Sequence, residues 1–293
     1  RPEHVERERW LAPAGALAGI ILGVGLQVSS GVQDVYALAC VVVAFVVLIT
    51  AVVVSRPVRL ADHDGRTVTL LALAGFAVQV ALLFTSRPGT DIRLSHQPLL
   101  FLYLGLAAVG VAGAAAICGF PRRTRPLHIW ALVAAHCCVG IWILDRSPNP
   151  PIDVYIFQRN GIAALLAWVN PYTITFPDIY SAAQSSKFYG VGLSLNGQLQ
   201  FGFPYFPLSL LAALPGQLIG HDLRYSHLAA IELAALLMAF ARPRGFGAMA
   251  AALYLTSPRI FNVVEMSWTE PFVVLGLAAV VFSASRDSRA TPW

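Results

Sequence analysis

The chain has 293 residues, of which 57% are hydrophobic and 12% are charged, and its formal net charge is +5. Soluble domains carry about 25% charged residues, so this composition argues against an ordinary soluble domain and indicates lipid as the main solvent. The arginines cluster in short loops between apolar runs, and no basic patch is interleaved with aromatic residues. A nucleic-acid partner is therefore not expected.

Apolar runs recur along the chain, most of them long enough to cross about 30 Å of hydrocarbon as a helix. Because a backbone in lipid must satisfy its own polar groups, these runs should be helices. The sequence predicts an all-α, polytopic helical protein of the cell membrane with about eight or nine transmembrane helices. The expected spans are residues 11–28, 35–54, 67–85, 98–118, 127–144, 200–219, 225–241, 245–257 and 272–285.

Two regions differ in polar content. Residues 1–126 form a four-helix transmembrane region, whereas residues 127–293 contain a long polar loop, 145–199, and nearly all candidate chemistry. The arginines of the N-terminus and of the loops at 55–66 and 121–125 fall on one side by parity, which should be cytoplasmic. The long loop then lies on the outer face of the membrane.

The long loop begins with Asp145 and Asp153, separated by prolines that forbid a helix. Residues 156–168 can then form an amphipathic helix at the membrane interface, with Gln158 and Arg159 on its polar part. Trp168 and the tyrosines that follow suit the aromatic belt at that depth. A simpler interpretation of Asp153 is a helix N-cap, which stabilises by about 1 kcal/mol.

Metal and thiol chemistry have little support. His136, Cys137 and Cys138 are adjacent, and consecutive helix residues point in different directions, so they cannot all reach one ion. No protein metal site is predicted and no cofactor is certain, although a divalent metal ion is left open. Glu232 lies inside an apolar run, where a carboxylate usually faces the bundle interior, either as a helix contact or on a transport path.

The order of motifs from residue 127 onward resembles the GT-C superfamily of polyprenyl-phosphate-sugar-dependent glycosyltransferases, especially bacterial mannosyltransferase-like members. An apolar span precedes the loop aspartates, the sequence Asp-Val-Tyr-Ile-Phe starts at 153, and Asn-Pro-Tyr starts at 170. Tyr-Phe-Pro follows at 205, and the stretch around Ser-Trp-Thr-Glu-Pro at 267–271 is similar to the family's second acidic region.

The resemblance implies transfer of a sugar, plausibly mannose, from a polyprenyl-phosphate donor to a cell-envelope glycan or glycolipid. It implies Asp153 as the general base, or Asp145 as the second choice, and a cation beside the leaving phosphate. The residues it nominates for substrate binding are Arg146, Arg159, Asn170, Tyr172, Lys187, Tyr189, Tyr205, Glu265 and Glu270. Because the chain ends at Trp293, soon after its last span, a truncated member is expected.

Three points stay open at this level. The short run at 245–257 suits a re-entrant or interfacial helix better than a full span. If it crosses fully, Glu265 and Glu270 lie on the cytoplasmic side, and if it turns back, they lie on the outer side with the long loop. A multi-span transporter or lipid flippase, with Glu232 on its path, is one alternative function. A non-catalytic membrane fragment is the other, and an absent cavity around Asp145 and Asp153 would favour it.

Overall fold

The computed structural model describes residues 11–29, 34–54, 65–85, 99–119, 124–241 and 244–286, and within them the chain is mostly helical. The arginines at 56, 59, 122 and 123, on which the predicted orientation depends, lie outside the described residues. The small polar loop at 86–97 also lies outside them.

The first half contains five helices that lie within two residues of the predicted spans at each end. They are α1 (Leu11–Ser29), α2 (Val35–Val54), α3 (Gly65–Thr85), α4 (Leu100–Cys118) and α5 (Arg125–Arg146). Among the described residues, three helices are long and apolar enough on their own to cross a membrane, or up to four if a bent pair counts as one span. The helical, membrane-compatible character predicted from composition is thus confirmed.

The second half has shorter elements. Its helices are α6 (Asp153–Leu166), α7 (Ala182–Phe188), α8 (Pro207–Gly220), α9 (Arg224–Phe240), α10 (Arg244–Leu255), α11 (Ile260–Glu265) and α12 (Glu270–Ser285). A small antiparallel sheet, absent from the all-helical prediction, has the strand order β1-β3-β2, with β1 at Phe176–Pro177, β2 at Ser194–Leu195 and β3 at Gln198–Leu199.

The helix α8 differs most from the prediction. Residues 200–206 are not helical, and α8 has 14 residues, so it is about 21 Å long, shorter than the roughly 30 Å of a bilayer core. Its axis is bent by 110° from that of α9. Both ends of α8 lie beside the long loop, since Tyr172 Oη donates to Tyr205 O at 2.8 Å and Gln217 lines a cavity with Asp145.

The helices α5 and α9 run antiparallel and define two ends of the bundle. The loop end carries residues 145–206, and at the far end the rings of Trp130 and Phe240 lie 6.3 Å apart. Midway between the ends, His136 Nδ1 lies 2.6 Å from Glu232 Oε1. The helix α12 runs parallel to α9, because Arg286 Nη2 at its end donates to Phe240 O at 3.1 Å.

The helices α10 and α11 cross the bundle together as one interrupted segment. α10 starts just after the far end of α9, and the ring of Phe261 on α11 stacks 4.5 Å from that of His136. α11 then ends at the loop end, where Glu265 O accepts a hydrogen bond from Arg224. Pro258 and Arg259, which has a φ of +67°, interrupt the helix between the two parts.

Two apolar cores hold these elements. The larger one joins α3, α4, α5, α9, α10 and α11, and its fully buried members include Val109, Val139, Ile143, Ile231 and Leu255. The smaller one lies under the loop and joins α6, the sheet and α8 through Phe157, Phe176, Leu199, Phe203 and Leu210. The loop is therefore a packed layer on the end of the bundle.

One arginine connects the two cores. Arg224, at the start of α9, is fully buried, and its guanidinium donates to Ser147 O at 2.6 Å, to Glu265 O at 3.3 Å and to Leu144 O at 3.4 Å. Its Nε donates to both carboxylate oxygens of Asp222 at 3.0 Å, and its cationic carbon lies 5.1 Å from the Tyr155 ring centre. The single side chain thus ties together α5, α6, α9 and α11.

Replacement of Arg224 by alanine should be strongly destabilising. It removes the cation that pairs with Asp222 and the guanidinium donor shared by three backbone carbonyls, and removing one partner of a buried pair costs about 3–5 kcal/mol. Chemical denaturation of the detergent-purified protein measures this loss. Arg146→Ala is the matched control, because Arg146 has a side chain 42% exposed and sits 3.6 Å from the exposed Asp145, where surface pairs contribute about 0–1 kcal/mol. Equal stability of the two variants would contradict the assignment.

Candidate functional site

The helix α6 separates two polar faces at the loop end. Residues spaced by four share a helix face, and residues two apart point to nearly opposite sides. Asp153 and Phe157 face a group of aromatic side chains, whereas Tyr155 and Arg159 face a cavity at the end of α5. The first group is called the Asp153 face below, and the second the polar cavity.

Asp153 is the first residue of α6 and is half-buried. Its Oδ2 accepts a hydrogen bond of 2.7 Å from the Tyr189 hydroxyl, and its Oδ1 accepts one of 2.8 Å from the backbone N–H of Val154. Its own N–H donates to the Tyr180 hydroxyl at 3.4 Å. A carboxylate at a helix N-terminus is favoured by the helix dipole. Asp153 is therefore held in one orientation, with part of its surface open.

Aromatic rings surround this carboxylate. The Tyr189 ring lies 6.1 Å from that of Tyr180 and 5.5 Å from that of Phe201, while Phe157 lies 6.5 Å from both Tyr189 and Tyr205. Burial and the neighbouring Asp153 carboxylate raise the pKa of the Tyr180 and Tyr189 hydroxyls, and raise the pKa of Tyr205 to about 12. These hydroxyls stay protonated at neutral pH, so Tyr189 donates to Asp153 throughout that range.

The second acidic region reaches the same end of the molecule. Glu270 is exposed in the first turn of α12, and its negative charge helps to raise the pKa of Tyr205. Glu265 is fully buried, and its backbone carbonyl accepts from Arg224. Both glutamates therefore lie at the loop end, the arrangement that the sequence had left undecided. The reason is that α8 turns back, while α10 and α11 cross together.

The polar cavity lies on the other side of α6 and has a volume of about 390 Å³. Asp145 lines it, together with Asn149, Arg159, Gln217, His221 and Asp222. The side chain of Asp145 is 72% exposed, and Arg159 Nη1 donates to Asn149 Oδ1 at 3.4 Å. Asp145 and Asp153, the two predicted catalytic candidates, thus face different surroundings.

The remaining residues predicted to contact substrate lie elsewhere on the loop, and two of them make hydrogen bonds within it. The side chain of Asn170 accepts from the Tyr172 N–H at 3.0 Å and caps the 3-10 turn Pro171–Thr173, and the Tyr172 hydroxyl bonds the backbone before α8. Lys187 is exposed in the last turn of α7, two residues before Tyr189. Arg146 is exposed beside Asp145.

The amphipathic helix was predicted at 156–168, but it spans Asp153–Leu166. The assignment of Gln158 to its polar, exposed part is also wrong. Gln158 is fully buried, and its Nε2 donates to Ser267 O at 2.5 Å. Trp168 lies beyond the helix with a φ of +60°, and its side chain is 97% exposed. A polar side chain can be buried where it donates to a backbone carbonyl. The sequence around Gln158 does not show that such a carbonyl lies nearby.

Asp178 organises the loop and was not singled out by the sequence analysis. Its Oδ2 accepts hydrogen bonds from the hydroxyls of Ser185, at 2.6 Å, and Ser194, and its Oδ1 accepts from the Tyr180 N–H at 3.0 Å. These bonds lower the pKa of Asp178 below its usual value. The carboxylate thereby joins α7 to the sheet and fixes the segment that carries Tyr180 and Tyr189.

Sequence reasoning also missed Asn149, Gln217, Asp222 and Arg224. Asp222 and Arg224 are separated by one residue and lie between two apolar runs. This position could have indicated a helix boundary with polar side chains. His221 also lines the polar cavity. Among the described residues, no group of three or more His, Cys, Asp and Glu side chains could hold a metal ion, so no step is assigned to one.

Glu232 lies apart from both faces, inside the larger core. The residue is 7% exposed, and its Oε1 pairs with the fully buried His136. The Glu232 Oε2 and His136 Nε2 atoms have no hydrogen-bond partner within the described part of the chain. The carboxylate is therefore a helix–helix contact in this conformation and does not face a water-filled path.

No protein-family model matches the chain, and neither a curated protein nor a solved structure is significantly similar to it.

Replacement of Asp178 by asparagine should loosen the loop at neutral pH. Because the folded loop lowers this pKa, the carboxylate contributes stability above its usual value of about 4, and that contribution is lost as the pH falls through the lowered value. Amide exchange of residues 178–199 should be faster in Asp178→Asn than in the wild type, with Asp145→Asn as control. Limited digestion with pepsin, which is active at low pH, tests the charge: the cleavage rates of the loop in the wild type and in Asp178→Asn should become equal at the lowest pH, where Asp178 is protonated. A difference that persists there would contradict the role of the charge.

Proposed function

We propose that the protein is a multi-pass membrane glycosyltransferase of the GT-C type, which moves a sugar from a polyprenyl-phosphate donor to a cell-envelope acceptor. The observation that carries the proposal is the Asp153 face, a half-buried carboxylate fixed by Tyr189 and walled by aromatic rings. Mannose remains the favoured sugar on the resemblance alone.

The chemistry of the Asp153 face suits an acceptor hydroxyl. A sugar hydroxyl that attacks an anomeric carbon must give up its proton, and a carboxylate at hydrogen-bond reach can accept it. Tyr189 donates to one oxygen of the Asp153 carboxylate and so holds that carboxylate in place. Aromatic faces beside it offer flat apolar surfaces on which a sugar ring can pack, as amphipathic rings do in binding sites.

The donor brings a phosphate, which leaves with the negative charge. Such a leaving group needs charge stabilisation more than a strong acid. Lys187 is the candidate cation nearest in sequence to Tyr189 on this face, whereas Arg159 points into the polar cavity. The polar cavity lies beside Asp145, one of the two aspartates at which an absent cavity would have favoured a non-catalytic fragment, and Asp153 lines neither this cavity nor the apolar one next to it.

The membrane arrangement is part of the proposal. We infer that most of the apolar helices cross the membrane, that α8 lies along its outer surface, and that the loop end faces outward. The support is the short length of α8, its 110° bend from α9, and the apolar side chains that it exposes, including Leu208 and Ile219. Helices of this kind lie within the headgroup region.

Asp153→Asn should reduce transfer from a radiolabelled polyprenyl-phosphate sugar by about 10²–10⁴-fold in membranes, because general-base catalysis contributes that much. Tyr189→Phe should give a smaller loss, since the carboxylate remains but is less fixed. Asp145→Asn is the matched control, a second loop aspartate on the opposite side of α6. Full activity in Asp153→Asn would rule out this base, and loss in Asp145→Asn instead would move the reaction to the polar cavity.

The topology can be tested with single cysteines introduced after the four native cysteines are replaced. Cysteines at Asp145 and Glu270 should react with an impermeant thiol reagent added to intact cells, and one at Arg286 should react only after the membrane is opened. Protection of the position-270 cysteine alongside labelling at position 145 would contradict the proposed crossing of α10 and α11.

A transporter or lipid flippase is the second candidate, favoured by one observation. The buried His136–Glu232 pair lies beside the interruption between α10 and α11, and interrupted helices near ionisable groups are typical of transport sites. In the transfer assay above, Glu232→Gln separates the two candidates. Normal transfer in Glu232→Gln supports the transferase, whereas absence of transfer by the wild type would leave the transporter as the better interpretation.

A further inference from the structure

Two cavities adjoin at the bend between α8 and α9. The polar cavity is one, and the other, of about 340 Å³, is lined by Pro215, Gly216, Ile219, Ser226 and Ala229. Gly220 and Tyr225 line both. Each volume falls within the roughly 300–1,000 Å³ of small-molecule sites. A polar compartment therefore meets an apolar one at a shared wall.

Local chain geometry creates this pair of cavities. His221 adopts a φ of +58° at the end of α8, and Pro215 lies within the helix. A Cβ on Gly220 would lie 2.4 Å from the Tyr225 ring, so no side chain fits at the bend. Ser226 Oγ accepts from the Gly216 N–H at 2.7 Å and donates to Ala213 O at 3.1 Å, which ties the two helices together. The bend is thus a fixed feature.

The charges of the polar cavity are nearly balanced. Asp222 is neutralised by the buried Arg224, and the other two charged side chains among the described lining residues are Asp145, which lies 3.6 Å from Arg146, and Arg159. The amides of Asn149 and Gln217 add donors and acceptors. A phosphate would meet two carboxylates here, whereas a neutral polyhydroxylated group can bond to amides, carboxylates and a guanidinium alike.

The apolar cavity opens toward the outside of the bundle. Ile219 is 84% exposed, and Ala229 is exposed on the outer surface of α9. Leu233, one turn further along the same helix face, is 51% exposed. An alkyl chain that leaves the cavity can therefore continue along α9 toward the far end, beside the acyl chains of the bilayer.

We propose that the two cavities together bind a neutral glycolipid, with its sugar head in the polar cavity and the start of its alkyl chain in the apolar one. Binding as such needs only the membrane placement of the helices. The two cavities lie across α6 from Asp153, so the glycolipid bound there is separate from the acceptor hydroxyl beside that carboxylate, and the inference goes beyond the proposed function.

The test uses the full-length protein in nanodiscs and two photoreactive probes with identical diazirine-bearing acyl chains. One is a monoglycosyl diacylglycerol and the other is phosphatidylglycerol. The glycolipid should label the peptide 215–229 about tenfold more than the phospholipid, which is the effect of one or two net hydrogen bonds of roughly 1 kcal/mol each. Asn149→Ala combined with Gln217→Ala should remove most of this preference.

Filling the apolar cavity gives the matched pair of variants. Ala229→Trp should abolish glycolipid labelling of the peptide, whereas Ala107→Trp, the same change at an exposed alanine of α4 outside both linings, should leave it unchanged. Equal labelling by both probes, or labelling that survives Ala229→Trp, would overturn the proposal. So would a preference for phosphatidylglycerol, which would indicate a phosphate-binding head site.

Asp153→Asn keeps the two proposals distinguishable. That variant should bind the glycolipid probe as the wild type does, even if transfer is lost. Normal transfer combined with no selective labelling would refute the glycolipid site alone. Selective labelling in a protein without any transfer activity would refute the transferase and leave a glycolipid-binding membrane protein.

Discussion

The buried guanidinium of Arg224 is the contact on which the arrangement at the loop end depends. Helices leave their last carbonyls without intrahelical donors, and here the carbonyls of Leu144, Ser147 and Glu265 are supplied by one cation. Asp222 neutralises that cation and the Tyr155 ring covers it. Removing a charge from water is costly unless such partners exist. The position of α6 relative to the bundle follows from this network.

Once the position of α6 is fixed, the helical period determines which of its polar side chains lie on each of its two sides. Asp153 and Phe157 belong to the Asp153 face, and Tyr155 and Arg159 line the polar cavity. The two aspartates that the sequence offers as alternatives for one role therefore lie in unlike surroundings. One is half-buried and held by a tyrosine, and the other is mostly exposed and sits near an arginine. Unlike surroundings favour different roles for the two carboxylates.

The sequence predicted the helices of the first half closely, because hydropathy is a local property and lipid selects it directly. It could not distinguish α8 from a crossing helix, since a helix lying on the surface and one crossing the core have similar composition. The inward turn of Gln158 depends on the Ser267 carbonyl, more than a hundred residues away. The Asp222–Arg224 pair shows the same limit: its residue types were visible, but its burial is set by α5 and α11. The strands have only two residues each, so they are too short to show the alternation of apolar and polar residues that indicates a strand.

The interruption at Pro258 and Arg259 has a mechanical consequence. On one side of it, α10 is anchored in the large core, and Thr256 Oγ donates to Gln79 Oε1 at 3.0 Å. On the other side, α11 is attached to the loop layer through the Glu265 and Ser267 carbonyls. A continuous helix would transmit any tilt along its whole length. Because the helix is interrupted, the direction of α11 beside the loop layer is independent of the direction of α10 in the core, and each part can keep its own contacts.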